Sequence, residues 1–149
     1  MQERHLDREK YFEEQTLIAE KVLVPYISSG FPISSQISVL EIGCGEAGNL
    51  HPFLTLGCKV TGIDCSAVRI ERAAQYYATH PLRKDLALVV SDIFETDPRE
   101  TGTFDLVILR DSLEHIPNKE KLISHIKKFL SPGGHIFISF PPWQMPFGG

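Results

Sequence analysis

Short apolar runs separated by longer polar or amphipathic segments recur along this chain. The runs are rich in β-branched and aliphatic side chains and end close to glycine, aspartate or proline, which is typical of buried strands. Strands are therefore predicted at Val39–Ile42, Lys59–Ile63, Leu86–Val90, Phe104–Leu109 and His135–Phe140.

The segments between these runs predict helices. Arg8–Val24 is rich in Glu, Lys, Gln and Leu and predicts a leading helix that Pro25 ends or bends. Residues suited to capping, Gly57, Ser66 and Asn118, mark the boundaries of later helices. The later helices are predicted at Asn49–Leu56, Ala67–Tyr77 and Lys119–Leu130, with a weak helical turn near Asp97 and a turn at Ser131–Gly134.

The alternation of strands and helices predicts the fold class. A chain of this kind forms an α/β fold with parallel strands and right-handed crossovers, here an open, Rossmann-like, doubly wound sheet of five mainly parallel strands. Such sheets bind ligands at the carboxyl ends of their strands. The polar candidates that follow strand ends are Gly43, Asp64, Asp92, Arg110 and Asp111.

The strongest local signal is the turn after the first strand, where Gly43, Gly45 and Gly48 follow an apolar run. Glycines without Cβ atoms allow a ligand to lie against the backbone, and the same spacing occurs in dinucleotide-binding sites. Asp64 follows about 20 residues later, where an acid can accept from ribose hydroxyls. A tight turn without a ligand is the alternative interpretation.

Glu41 precedes this turn and bears on the choice of ligand. A buried carboxylate there suits a ligand with an ammonium and a sulfonium better than one with a pyrophosphate. It can also accept from N–H groups of the turn, and the two roles are compatible.

Composition narrows the function classes. The 149 residues are 42% hydrophobic and 23% charged, which fits one globular domain. A net charge of −4 without a Lys/Arg run argues against nucleic acid as a partner.

The charged start is unlike a signal peptide, and no apolar run is long enough to span a bilayer. Three cysteines without a CxxC pair predict reduced thiols in a cytoplasmic protein, and no zinc-site spacing occurs.

Five motifs, taken in order, resemble class I S-adenosylmethionine-dependent methyltransferases. They are VLEIGCGEAGN, GIDCS, SDIFE, FDLVILRDSLEHIP and LSPGGHIFISF, and together they cover residues 38–140. The residues of these motifs are most similar to those of the small-molecule branch of the family, as in quinone-biosynthesis methyltransferases. The resemblance implies strand order 3-2-1-4-5, S-adenosyl-L-methionine as cofactor and a small-molecule methyl acceptor. It also implies one domain over residues 1–149, with a leading helix and loop (1–37), the cofactor-binding core (38–140) and an irregular tail (141–149).

The resemblance assigns roles to individual residues. The glycine turn would wrap the methionine half of the cofactor, Asp64 would bind the ribose, and Asp92 and Ile93 would contact the adenine. His115 and Asp111 are the catalytic candidates. The expected cofactor-binding residues are Glu41, Gly43, Cys44, Gly45, Asp64, Cys65, Ser66, Asp92, Ile93 and Arg110.

Several of these residues have simpler interpretations. Asp64 can serve as a helix N-cap partner, and Asp92 suits a turn that ends a strand. His115 can act as a base or can cap the short segment before Pro117. Cys44 and Cys65 are expected to fill tight sites, not to act as nucleophiles.

The chain departs from the resembled family after the fifth strand. The family sheet has seven strands, and its antiparallel hairpin after the fifth is missing here, which predicts either a fragment or a truncated relative. The loop that starts at Pro141 would lie near the acceptor in the family. The open side of His135–Phe140 carries no charge, so we expect either that this edge recruits a second copy in a homodimer or that the chain is less stable than a longer version of the protein.

Two other functions are weighed against methyl transfer. A cofactor-binding domain with little or no transferase activity is the non-enzyme alternative. An NAD-dependent oxidoreductase is the enzyme alternative, and Glu41 and the SPGG turn argue against it.

Overall fold

The computed structural model describes residues 7–140, which form one parallel sheet with helices around it. The strand order is β3-β2-β1-β4-β5, and every pairing is parallel. The strands are β1 (Ser38–Ile42), β2 (Lys59–Asp64), β3 (Leu86–Val90), β4 (Phe104–Arg110) and β5 (Leu130–Ser139). The predicted fold class and strand order are therefore confirmed.

The helices are short; the first two precede β1, and the others lie between strands as predicted. They are α1 (Arg8–Ile18), α2 (Val24–Ser28), α3 (His51–Thr55), α4 (Ala67–Tyr76), α5 (Pro98–Thr101) and α6 (Lys119–Ile126). A π-helical segment (Ala19–Leu23) joins α1 to α2, and 3-10 turns occur at Gly48–Leu50, Arg83–Asp85, Leu113–His115 and Lys127–Phe129.

The sheet is covered on both faces, as a parallel sheet must be to keep its apolar residues from water. Successive side chains of β1 point to opposite faces, so Val39 and Leu40 belong to different apolar clusters. Val39 packs with residues of α3 and α4, including Phe53, and with Tyr77 just after α4. Leu40 packs with α6 and the turn after it. The two clusters hold β1 and β4 at the centre of the sheet, which fixes the position of the loops at their carboxyl ends.

Of the two predicted effects of Pro25, ending or bending the leading helix, the structure excludes the first. The helical segment continues to Ser28, and Pro25 occupies the first turn of α2. The preceding π-helical segment has a wider turn, and the Val24 N–H donates to the Ala19 carbonyl. A wider turn before proline accommodates a residue that has no N–H to donate.

The boundary between α6 and β5 also differs from the prediction. The α-helix ends at Ile126, a 3-10 turn follows, and β5 already begins at Leu130. The pairing advances from Leu130 to His135 while β4 advances only from Phe104 to Leu106, so the predicted turn at 131–134 is a bulge inside the strand. A Cβ at Gly134 would lie 2.9 Å from the Phe104 carbonyl oxygen, which explains the need for glycine there.

The predicted irregular tail, with its loop at Pro141, lies outside the described residues. Within residues 7–140, no helix is long and apolar enough to cross a membrane. The same residues contain no group of three or more His, Cys, Asp or Glu side chains that could hold a metal ion.

Candidate functional site

The three glycines of the turn after β1 have different tasks. Gly43 and Gly45 have positive φ angles of 75° and 56°. A Cβ at Gly43 would lie 2.7 Å from the Ser112 Cβ, so this glycine is required by packing. Among the described residues, a Cβ at Gly45 would meet only the Arg69 Cδ, at 4.0 Å, so the turn is open there. Gly48 lies under α1, where a Cβ would be 2.8 Å from the Gln15 Cβ. Gly43 is exposed and Gly45 is half-buried with free space beside it, so a ligand can approach the backbone at these two glycines but not at the buried Gly48.

Asp64, at the end of β2, fixes the shape of this turn. Its Oδ2 accepts from the Gly45 N–H and its Oδ1 accepts from the Ser66 N–H, both at 2.8 Å. Ser66 occupies the N-cap position of α4, but within the described chain its side chain makes no capping bond. The predicted partnership of Asp64 with the start of a helix is therefore present. Each carboxylate oxygen keeps a second lone pair, so the two bonds leave acceptor capacity for a ligand.

A pocket of about 170 Å³ adjoins the turn at the carboxyl edge. It brings together six predicted site residues and several apolar neighbours. Asp92 lines it, and its Oδ1 accepts from the Phe94 N–H at 2.8 Å, which is the turn-forming role expected as the alternative. The lining residues are Ile42, Gly43, Ile63, Asp64, Cys65, Ser91, Asp92, Ile93, Phe94, His115, Ile116 and Pro117. The mixture of apolar walls and a few polar groups suits a small organic ligand.

Glu41 belongs to a buried polar network on the other side of the turn. Its carboxylate is 1% exposed, and Oε1 accepts from the Asn49 Nδ2 at 2.7 Å. The Asn49 Oδ1 in turn accepts from the Arg110 Nη1 at 2.7 Å. The second oxygen of Glu41, Oε2, has no hydrogen-bond partner among residues 7–140. A buried acceptor without a donor is costly, and a ligand that brings an N–H group would satisfy it.

The protonation of Glu41 follows from this environment. Burial raises the pKa of Glu41 from its ordinary 4.5 to about 8, because the charged form loses its hydration. The bond from Asn49 and the charge of Arg110 act in the opposite direction and are weaker. At neutral pH the carboxyl group is therefore largely protonated until a positive charge approaches it.

Glu46 is a buried charge that the sequence motifs did not single out. It is 1% exposed, and the Arg8 Nε donates to its Oε1 at 2.9 Å. Arg8 forms a second bond through Nη2, and the Arg72 Nη1 lies 3.7 Å away. This pairing fastens α1 and α4 to the glycine turn. No sequence pattern links Glu46 to Arg8, since the two residues come from distant parts of the chain.

Asn49 was also missed as a site residue, although a signal for it exists. It lies in a segment whose other residues, Gly48 and Leu50, are buried, and it is itself 3% exposed. A polar residue among buried neighbours needs partners of its own. Tyr77 belongs to the same class, because its buried hydroxyl donates to the Ala47 carbonyl at 2.7 Å and supports the turn from below.

The two catalytic candidates lie in different surroundings. His115 lines the pocket with Asp92, and its side chain is 81% exposed. Asp111 does not line that pocket and has a left-handed φ of 51°. Burial raises the pKa of Asp111, and the nearby charge of Arg110 opposes the shift. The structure therefore does not unite them in one catalytic cluster.

The two cysteines of the predicted site also differ. Cys44 is 2% exposed, and a Cβ placed on Gly62 would lie 2.7 Å from its sulfur, so its side chain fills a tight space. Burial, the first cause, and the charges of Glu41 and Asp64 raise the pKa of the Cys44 thiol, which argues against a nucleophilic role. Cys65 is exposed and lines the pocket, so the expectation that it fills a tight site was wrong.

The open parallel sheet, the glycine turn after β1 and the acidic residue at the end of β2 define a Rossmann-like ligand-binding domain. Comparison with known proteins identifies the family. A family model described as a methyltransferase domain matches residues 12–146. The chain therefore belongs to the methyltransferase-domain family.

Curated relatives agree with this assignment. A sterol 4-C-methyltransferase, strm-1, from Caenorhabditis elegans is 30% identical over 128 residues, which are 85% of this chain and 38% of the relative. The chloroplastic tocopherol O-methyltransferase of Arabidopsis thaliana is 34% identical over 67% of this chain and 29% of the relative. A ubiquinone biosynthesis O-methyltransferase from Albidiferax ferrireducens is 30% identical over 72% of this chain and 42% of the relative. The chain thus spans less than half the length of these relatives.

Solved structures share the fold. A coclaurine N-methyltransferase bound to N-methylheliamine and SAH superposes with a TM-score of 0.69 at 24% identity, over 80% of this chain and 35% of that one. A putative sarcosine dimethylglycine methyltransferase from Galdieria sulphuraria gives a TM-score of 0.73 at 20% identity, over 82% of this chain and 45% of that one.

Proposed function

We propose that this chain is the cofactor-binding part of an S-adenosylmethionine-dependent methyltransferase that acts on a small molecule. The observation that carries the proposal is the turn after β1. The turn has free space at Gly45 and is held by Asp64, and Glu41, two residues before its first glycine, has a buried oxygen without a partner within residues 7–140. These groups suit a ligand that combines a nucleoside with a positively charged amino-acid end.

The residues present fit that cofactor in two places. The buried Oε2 of Glu41 lacks a donor within residues 7–140, and an ammonium group would supply one. The pocket offers the apolar side chains of Ile63 and Ile93 for a purine ring, with the carboxylates of Asp64 and Asp92 at its rim. We assign Asp64 to the ribose hydroxyls, and Asp92, Ile93 and Cys65 to the adenine. Gly43, Cys44, Gly45 and Ser66 would contact the cofactor through the backbone of the turn.

Bound S-adenosylmethionine supplies an activated methyl group whose leaving thioether needs no help from the protein. The protein's part in an in-line displacement is to position the acceptor and to exclude water. A base is needed only where the acceptor atom carries a proton. We propose Asp111 or His115 for that task, since both lie at the carboxyl edge and Asp111 has a raised pKa.

The acceptor class is inferred from the relatives. The names of three relatives refer to a sterol, to tocopherol and to ubiquinone biosynthesis. We therefore propose a small organic acceptor for this chain. A net charge of −4 gives no electrostatic support for a nucleic acid partner.

Calorimetric titration tests the proposal. S-adenosylhomocysteine should bind the chain, and NAD should not, because a pyrophosphate brings no positive charge to pair with the buried Glu41. Tight binding of NAD without a response to S-adenosylhomocysteine would overturn the assignment. Binding without methyl transfer to any phenol, amine or sterol acceptor would support the alternative of a cofactor-binding domain.

The edge of β5 supports a proposal about assembly. Within residues 7–140, β5 pairs with β4 and has no partner strand on its other side. We propose that two copies associate along β5 as a two-fold dimer, since an uncharged edge recruits another strand. Sedimentation at several concentrations tests this proposal, and a concentration-independent monomer would contradict it.

The cellular compartment is a proposal of the same kind. Cys44, Cys58 and Cys65 are free thiols. Free thiols are typical of reducing compartments, so we propose that the protein is cytoplasmic.

A further inference from the structure

Asn49 connects two charged side chains beneath the glycine turn. Its Nδ2 donates to the Glu41 Oε1, and its Oδ1 accepts from the Arg110 Nη1, each at 2.7 Å. A reversed carboxamide would place an NH₂ group against the guanidinium and lose both bonds. The Arg110 guanidinium, which can only donate, therefore fixes the orientation of the amide, and the amide in turn fixes the position of Arg110.

Arg110 ends β4, with its side chain 18% exposed. Within residues 7–140, the Asn49 Oδ1 is the one side-chain acceptor that its guanidinium reaches at hydrogen-bond distance. The Asp111 carboxylate lies 3.8 Å from the Arg110 Nε, which is beyond that distance. A guanidinium has five N–H donors, so most of them remain for a ligand at the carboxyl edge.

We propose that Asn49 is a positioning residue that holds the Arg110 guanidinium ready for the carboxylate of the ligand's amino-acid end. The inference rests on the proposed function, because it assigns one end of the same cofactor. Arg110 and the free oxygen of Glu41 then complement a carboxylate and an ammonium on one carbon atom. A planar guanidinium matches a carboxylate in geometry as well as in charge.

The physical gain is preorganisation. A free arginine side chain loses rotamer entropy when a ligand orders it, and that loss weakens binding. Asn49 orders Arg110 before the ligand arrives. Asn49 is itself buried and hydrogen-bonded at both ends of its amide, so it cannot move without breaking its bonds to Glu41 and Arg110.

Two ligands separate this role from a general structural one. S-adenosylhomocysteine carries the amino-acid end, whereas 5′-methylthioadenosine lacks it and offers the same nucleoside. Calorimetry should give Asn49→Leu a dissociation constant for S-adenosylhomocysteine raised about 10- to 100-fold. The dissociation constant for 5′-methylthioadenosine should change by less than about twofold.

Two more variants test the route through Arg110. Asn49→Leu should weaken S-adenosylhomocysteine binding much less when it is added to Arg110→Leu, because the residue it positions is already gone and only its bond to Glu41 is still lost. Asn49→Asp retains an acceptor for the guanidinium and should keep most of the preference for S-adenosylhomocysteine at neutral pH. This second variant also replaces Asn49→Leu if the leucine variant fails to fold.

Three results would overturn the inference while leaving the proposed function intact. Equal weakening of both ligands by Asn49→Leu would indicate a structural role. An undiminished effect of Asn49→Leu in the Arg110→Leu background, or a loss in Asn49→Asp as large as in Asn49→Leu, would show that Asn49 does not act through Arg110. Failure of the unmodified chain to bind either ligand would overturn the proposed function together with this inference.

Discussion

Two buried carboxylates, five positions apart on either side of the glycine turn, are accommodated in opposite ways. Glu46 is 1% exposed and lies between Arg8 and Arg72. Glu41 is equally buried, yet one of its carboxyl oxygens has no hydrogen-bond partner within residues 7–140. Burial raises the pKa of Glu41 to about 8. The charge of Arg110 lowers this pKa, but Arg110 is linked to Glu41 by hydrogen bonds only through Asn49.

The difference separates a structural charge from a binding charge. Burying a carboxylate is costly, and Glu46 offsets the cost with two cations that belong to the fold itself. The desolvation cost of Glu41 is only partly offset by the fold, and a positively charged ligand would offset the rest on binding. A buried acid with a free oxygen beside an open glycine turn is therefore a better sign of a binding site than burial alone.

The largest expected effect comes from the glycine between the two acids. Gly45→Val should abolish S-adenosylhomocysteine binding, more than about 100-fold, because the side chain would occupy the open face of the turn. Its positive φ also adds strain of about 1–2 kcal/mol. Calorimetry and thermal unfolding measure the two effects separately.

Gly102→Val is the matched control. Gly102 also has a positive φ, and no atom of the described residues lies within 4 Å of the point where its Cβ would be. The variant should lower stability without affecting the ligand. Retained binding in Gly45→Val would show that the ligand approaches elsewhere.

A second comparison concerns the acids at the ends of β2 and β3. Asp64→Ala should raise the dissociation constant at least about 100-fold, because two charge-assisted bonds of about 1.5–3 kcal/mol each are lost. Part of the loss comes from the turn, whose Gly45 N–H would lose its acceptor. Asp92→Ala removes at most one bond to an adenine edge and should have an effect of about tenfold. Equal or reversed effects, measured by calorimetry, would refute the ribose assignment.

The ion pair of Glu46 with Arg8 should contribute to the stability of the fold. Arg8→Ala leaves Glu46 with only Arg72 at 3.7 Å among the described residues, and we expect unfolding to become easier by about 2–3 kcal/mol. Denaturant titration measures the change. Arg99→Ala is the matched control, since it breaks an exposed ion pair with Asp97 and should have a much smaller effect. Equal small effects would mean that α1 is not fastened by the Arg8–Glu46 pairing.

The raised pKa of Glu41 should make the free energy of unfolding depend on pH. The unfolded chain releases the Glu41 proton near pH 4.5 and the folded chain near pH 8, so the folded state binds more protons between these values. The free energy of unfolding should therefore fall by about 1.4 kcal/mol per pH unit as pH rises through this window. Below the window both states are protonated, and the contribution is fully present. Glu41→Gln should remove this slope, whereas parallel curves for the two proteins would contradict the buried, protonated carboxyl group.

The sequence predicted the fold well because local patterns specify it. Strands such as Lys59–Ile63 and Leu86–Val90 were recognised by β-branched runs that end at polar residues, and Asn118 was correctly predicted to cap α6. The structure departed from the simplest expectation where tertiary context overrides local propensity. Pro25 lies inside a helical segment because a π-helical turn precedes it, and the bulge in β5 depends on the close approach of Gly134 to Phe104.

The sequence by itself determined the parallel sheet, the position of the glycine turn and the edge at which a ligand would bind, because periodicity and glycine spacing are properties of short segments. Only the tertiary structure decided how the charges around the turn are paired. The pairs Arg8–Glu46 and Asn49–Arg110 join residues 38 and 61 positions apart. No local pattern encodes such contacts, since they form only when packing brings distant elements together and removes water from between them.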